Sequence, residues 1–330
     1  MKIKDRKQDH LKICTEEDVE AGSSGLADVR LVHRALPELN FDEIYMGIRF
    51  LGKKLSYPLI IEAMTGGVAE AGKINKEVAS VAQEYGIGFE VGSQRAAIDD
   101  PGLADTFRVR DVAPDIFLIG NLGAVQLNYG YSLRECRKAV DMIDADALAL
   151  HLNPLQEVIQ GEGNKNFSGL ARRINGIASK LDKPVIVKET GCGISYETAA
   201  KLKVSAIDVA GVGGTSWSLV ESYRSTGVKR DIGRTFAGWG IPTADAIRET
   251  AKLNVPVIAS GGIRTGLDAA KAMALGAECA GVALPVLEAW DKNGKKGVKD
   301  FLERFVYELK VAMFLTGSRS VKELRGKVRS

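Results

Sequence analysis

The 330-residue chain balances 45 Lys and Arg against 42 Asp and Glu, and the absence of any long block of like charge argues against a nucleic-acid arm and for small-molecule partners. Its 45% hydrophobic content suits the core of one large domain rather than a disordered chain. Cys14, Cys136, Cys192 and Cys279 lie too far apart for a zinc motif and too sparsely for a disulfide scaffold, residues 1–10 lack the apolar run of a signal peptide, and no apolar stretch approaches the ~20 residues that span a bilayer, so a cytoplasmic protein with neither membrane nor nucleic-acid partners is expected.

Residues 1–57 read as an N-terminal extension. Arg6-Lys7-Gln8-Asp9-His10-Leu11 concentrates three basic side chains with no apolar anchor before Leu11. Such a segment is either a solvated, frayed tail or an anion clamp that folds over a binding site. A short hairpin is expected around 45–54. From Pro58 onward, β-branched runs ending in Gly, Ser, Thr or Asn alternate with segments of helical period. The runs lie at 58–63, 86–91, 115–120, 145–150, 184–188, 206–210, 256–260 and 280–283, and helices are expected at 69–85, 132–143, 168–181, 195–202, 243–253 and 265–275. Eight such units close into a TIM (β/α)8 barrel over residues 58–330. An open doubly wound sheet would carry its phosphate glycines on the first strand-to-helix turn, whereas here polar residues and glycines follow nearly every strand. Beyond Pro285 a Lys and Gly turn (293–297) leads to a C-terminal helix at 298–315.

The strand ends carry the chemistry. The first three end in Ala63-Met64-Thr65-Gly66-Gly67, Ser93-Gln94-Arg95 and Asn121-Leu122-Gly123. Each polar residue taken singly is as well suited to a turn or helix cap, but together they line a barrel mouth with the fixed hydrogen-bonding groups a planar heteroaromatic cofactor wants. The fourth strand ends in His151-Leu152-Asn153-Pro154-Leu155-Gln156-Glu157, where alternation sends His151 and Asn153 to the same side and Glu157 offers a hard oxygen ligand suited to Mg²⁺ with substrate phosphates. Lys188, at the end of the fifth strand, either supplies fixed positive charge to an anionic ring or forms a Schiff base with a carbonyl substrate. Gly211-Val212-Gly213-Gly214-Thr215 follows the sixth strand and offers backbone amides and a hydroxyl to ligand oxygens. Ser260-Gly261-Gly262-Ile263-Arg264, the helix beginning near Thr265 and the eighth-strand segment Ala280-Gly281-Val282-Ala283-Leu284-Pro285 match the usual phosphate site of this fold.

Taken in order, the 6–11, 63–67, 92–95, 151–157, 188–189 and 260–264 segments closely resemble type 2 (FMN-dependent) isopentenyl-diphosphate delta-isomerases, and the likeness runs from Arg6 to the last helix. The resemblance implies an FMN-binding barrel, Mg²⁺, and NADPH as flavin reductant. It implies FMN contacts at Ala63, Met64, Thr65, Ser93, Asn121, Lys188, Thr215, Gly262, Ile263, Arg264, Ala283 and Leu284. Substrate contacts are implied at Arg6, Lys7, Ser93, Gln94, Arg95, His151, Asn153 and Gln156, and Mg²⁺ at Glu157. A homo-oligomer, tetramer or octamer, is also implied. One departure is Gln8, where the family pattern favours an acidic residue.

Interconverting isopentenyl and dimethylallyl diphosphate adds a proton at one end of an allylic unit and removes one at the other. No pair of protein residues stands out for both tasks, so reduced FMN is expected to be the main acid and base, with Gln156 in a supporting role. The alternative is an FMN-dependent oxidoreductase of the 2-hydroxy-acid or dihydroorotate type. A hydroxy-acid oxidase would want a His and Arg pair after the seventh strand, but the histidines are His10, His33 and His151. A non-catalytic flavin or phosphate binder would not need the cluster from His151 to Glu157.

Overall fold

The computed structural model describes residues 3–329, with side chains from Lys7 onward. Two short antiparallel strands, β1 (Ile48–Phe50) and β2 (Lys53–Leu55), precede eight parallel ones. These are β3 (Leu59–Ile61), β4 (Gly88–Glu90), β5 (Phe117–Gly123), β6 (Ala147–His151), β7 (Val185–Lys188), β8 (Ala206–Asp208), β9 (Val257–Ala259) and β10 (Cys279–Val282), and β10 pairs with β3 to close the barrel. Each lies within one residue of an expected run at its start or inside it, apart from the extension of β5 to Gly123. The helices expected at 69–85 and 265–275 are found at Ala69–Tyr85 and Gly266–Leu275.

The period of two along a strand sorts the side chains. One phase, including Ile61, Phe89, Leu118, Leu148, Val187 and Ile207, packs outward under the helices. The other phase, Ile60, Ile119, Ala149, Ile186, Ala206, Ile258 and Cys279, fills the barrel interior. Phe50 and Leu55 of the hairpin join this inner cluster, with the Phe50 and Phe117 rings 5.8 Å apart edge to face, so the hairpin plugs the N-terminal end of the barrel. The other end is left open for a ligand.

Three features differ from the sequence expectation. The N-terminal segment is a helix, Ile3–Glu16, rather than a frayed tail, because Leu11, Ile13 and Cys14 pack on apolar groups that include Trp217 and Leu284. Short helices at Pro154–Ile159, Trp217–Tyr223 and Val228–Thr235 lie outside the expected helices, although Pro154 at a first helical position and Ser216 as N-cap are ordinary start signals. The C-terminal helix begins at Leu284 instead of 298. Its turn narrows to a kink at Asn293 and Gly294, since burial of Val286 and Leu287 holds the preceding turns in helical form.

Candidate functional site

The inward phase that fills the barrel interior continues past it. Two residues beyond Ile60, Gly88, Ile119, Ala149, Ile186, Ala206 and Ile258 stand Glu62, Glu90, Asn121, His151, Lys188, Asp208 and Ser260. Seven of the eight barrel strands thus end in a polar layer, buried except at the partly exposed His151, above an apolar one. A large cavity opens above it, lined among others by Glu62, Asn121, His151, Lys188 and Ser260.

Lys188 is the positive centre of this layer. Its ammonium stands 3.5 Å from Glu62 and 3.3 Å from Asp208, and donates to the Glu189 carbonyl at 3.0 Å. Burial alone would strip its proton, but Asp208, Glu62 and Glu90 override that and hold it well above the ordinary lysine range. Three carboxylates around one ammonium cannot all be ionised cheaply. Burial, with Asp208 adding to it, raises Glu62 well above its usual range, and burial raises its neighbour Glu90 as well. Asp208 accepts from the Ser260 hydroxyl at 2.6 Å.

On the opposite wall, the Asn121 amide donates to Glu90 at 2.5 Å and its carbonyl faces His151 Nδ1 at 2.8 Å. Burial, then the charges of Lys188 and Lys7, push the His151 imidazole down to about 3. Lys7 reaches the mouth from the N-terminal helix, donating to the Ser93 carbonyl at 2.9 Å with its ammonium over the Phe107 ring. A second polar cluster forms where that helix meets the barrel. Glu221, 1% exposed, accepts from Gln156 at 3.0 Å and from Arg224 at 2.7 Å, and lies 2.9 Å from His10. Its burial is outweighed by these partners, which hold its carboxyl down to about 2.

The phosphate-type loop is built by close backbone approach. A side chain on Gly261 (φ +94) or Gly262 (φ +73) would collide with the carbonyl oxygen of Gly211 or Gly213, so only glycine fits. Arg264 lines the cavity and pairs with Glu20, which is carried on a segment bridged to Thr215. The following helix is capped by Thr265 and Asp268 in a capping box, so its first-turn amides are engaged by the protein and the anion-binding character rests on the glycine turn and Arg264.

Of the residues expected at the site, Ala63, Met64, Thr65, Ser93, Asn121, Lys188, Thr215, Gly262, Arg264, Ala283, Leu284, Lys7, Arg95, His151, Asn153, Gln156 and Glu157 line this one cavity. Ile263 does not, being packed in the hydrophobic core. Nor does Gln94, which is fully buried and braces β5 by accepting from the Asn121 backbone N–H and donating to the Ala139 carbonyl. The Arg6 side chain lies outside the described residues. Glu157 reaches the cavity wall, where it accepts from Asn153, Gln160 and the Asn164 backbone. No group of three His, Cys, Asp or Glu suited to a metal occurs among the described residues, so an ion at Glu157 would need further oxygens from the ligand. Sequence reasoning missed Glu62, Glu90, Asp208 and Glu221. The first three could have been found as acidic residues at the ends of apolar strands, which are rarely buried unless paired.

A family model described as FMN-dependent dehydrogenase matches residues 135–329. The chain is similar to solved structures of a mandelate oxidase (TM-score 0.66, 18% identity, 96% of this chain and 94% of that one) and of flavocytochrome b2 with sulfite bound (0.68, 18%, 96% and 81%), a likeness of fold alone. Among sequences it is 49% identical to an isopentenyl-diphosphate delta-isomerase of Nostoc sp. over 97% of this chain and 93% of the relative. It is also 49% identical to one of Ignicoccus hospitalis (99% and 93%) and 47% identical to one of Pyrococcus abyssi (97% and 90%). With this degree of identity over nearly its whole length, on the barrel that the FMN-dependent dehydrogenases share, the chain belongs to the isopentenyl-diphosphate delta-isomerase family.

Proposed function

We propose that this protein interconverts isopentenyl and dimethylallyl diphosphate, with FMN as cofactor, NADPH as its reductant and Mg²⁺ as a substrate-bound ion. The observation that carries the reading is one cavity joining a glycine turn with Arg264 to a second wall that is cationic at Lys7 and Arg95 and lined with the neutral polar groups of His151, Asn153 and Gln156. That is two anion-binding ends, one for a cofactor phosphate and one for a substrate diphosphate.

The residues fit FMN. The cradle between Gly214, Gly261 and Gly262 admits no Cβ, as a backbone built to approach a phosphate requires. Asn153 leaves a buried acceptor oxygen without a hydrogen-bond donor at the cavity wall. Ala63, Met64, Thr65, Ser93, Asn121, Lys188, Thr215, Gly262, Arg264, Ala283 and Leu284 would hold the cofactor. Bound in reduced form, FMN supplies an electron-rich ring able to exchange protons, which allylic transposition needs.

The chain's own residues orient and enclose. Lys7 and Arg95, with Arg6 from the same N-terminal segment, receive the diphosphate, and Glu157 holds Mg²⁺ against it. Residues 1–57 thus form an extension of the 58–330 barrel that contributes the substrate clamp. Gln156, oriented by Asn153 and Glu221, fixes the substrate in place or passes on a proton. An oxidoreductase acting on hydroxy acids is not favoured, since Arg264 has no histidine beside it. Among the described residues no helix is long and apolar enough to cross a membrane. Exposed Val228, Ile232 and Trp239 support assembly into a homo-oligomer.

The test is an anaerobic assay of the FMN-loaded protein with isopentenyl diphosphate, Mg²⁺ and NADPH. Dimethylallyl diphosphate should form without stoichiometric loss of NADPH, because the reaction is redox-neutral. NADPH consumption matching turnover would establish the oxidoreductase instead.

A further inference from the structure

Asn121 stands between an acid and an imidazole, and the acid decides which way it faces. The Asn121 NH₂ donates to a Glu90 carboxyl oxygen at 2.5 Å, which sets the amide with its nitrogen toward Glu90. The Asn121 carbonyl oxygen is then left 2.8 Å from His151 Nδ1, and an oxygen at that distance requires a proton on the ring nitrogen. The arrangement has little freedom. Glu90 and Asn121 are each 2% exposed, and the Asn121 backbone N–H is held by Gln94.

We propose that Glu90 is a positioning residue that, through Asn121, fixes His151 as the Nδ1–H tautomer and so leaves the Nε2 lone pair for the ligand. With Lys188 and Lys7 as the cations facing it, the buried imidazole stays neutral at physiological pH. Nε2 lies on the side of Gly123, which also lines the cavity and whose missing side chain leaves that edge of the ring open. His151 therefore offers an acceptor. It suits a ligand donor, a metal-bound water or a protonated phosphate oxygen, while fully ionised phosphate oxygens fall to Lys7 and Arg95. The identity of that ligand rests on the isomerase reading, but the tautomer does not.

The tautomer is directly visible by ¹⁵N NMR of protein labelled at histidine. The chain has three histidines, and a His151→Asn spectrum assigns the signal. His151 should appear as the neutral Nδ1–H form at pH 7.5. Glu90→Leu removes the acceptor, frees the Asn121 amide to turn over, and should bring in the Nε2–H form together with a rise of about tenfold in KM for isopentenyl diphosphate, the equivalent of one hydrogen bond. Glu90→Gln, which still presents an oxygen to Asn121, should keep the wild-type tautomer. An Nε2–H or imidazolium signal in the wild-type protein, or an unchanged tautomer in Glu90→Leu, overturns the proposal. Should Glu90→Leu fail to fold, the wild-type and Glu90→Gln spectra decide. Absence of turnover with the expected spectra would count against the isomerase reading alone.

Discussion

Single buried charges at the barrel mouth are held by their neighbours, and removing one exposes the rest. Lys188→Met keeps the bulk of the side chain but leaves Asp208 and the Glu62 and Glu90 pair without their cation. Breaking a buried pair in this way costs about 3–5 kcal/mol, to be read from urea unfolding of the ligand-free protein, and FMN affinity should fall with it. His151 gives the pH dependence its sign. Its ordinary value is 6.5 and its folded value about 3, so below 6.5 the unfolded chain takes up a proton that the native one refuses. Stability is therefore fully present above 6.5 and falls as pH drops toward 3. Glu221, held down to about 2 from 4.5, adds a similar loss only at lower pH. Between pH 6.5 and 5 the buried Glu189, raised to about 7, titrates with the opposite sign, so the histidine's share is read as a difference: on acidification across this range His151→Asn should lose less thermal stability than the wild type.

At the level of elements, the turn after β9 and the N-terminal helix have separable tasks. Gly261→Ala forces a left-handed backbone on alanine, costing about 1–2 kcal/mol, and drives its methyl into Gly211. FMN affinity measured by fluorescence quenching should drop by tenfold or more. The helix Ile3–Glu16 is docked by few apolar side chains, so Leu11→Asp should release it without disturbing the barrel. KM for isopentenyl diphosphate should rise by about tenfold or more as Lys7 leaves the mouth, while FMN binding and the unfolding temperature change little. A marked loss of FMN in that variant would mean that the helix belongs to the cofactor site instead. The same helix shows where local reading ran out. Arg6 to His10 carries no apolar anchor, and its order comes from contacts with Trp217 and Leu284, more than 200 residues away along the chain.

For the whole molecule, Val228 at 73% and Trp239 at 63% exposure make the surface around 228–239 the place to test the proposed homo-oligomer. Sedimentation equilibrium should give a mass several times the 35.5 kDa of one chain, and Val228→Glu with Trp239→Glu should lower it. A monomer at micromolar concentration would remove this reading. The order of strands and helices was legible in the chain alone, because a barrel of parallel strands repeats one pattern eight times and each apolar run is bounded by residues that cannot continue it. The alternation that put His151 and Asn153 on one side was equally readable, since the strand period is a local property. Which polar groups meet across the mouth was not. Lys188 touches Glu62 from across the barrel, Glu221 reaches Gln156 from 65 residues away, and Gln94 turns from the cavity to brace Asn121. Sequence determined the direction in which each strand-end side chain points, because that follows from backbone periodicity. Only the closed barrel decided their partners, protonation and tautomers, because those depend on burial and on distances between strands that closure alone brings together.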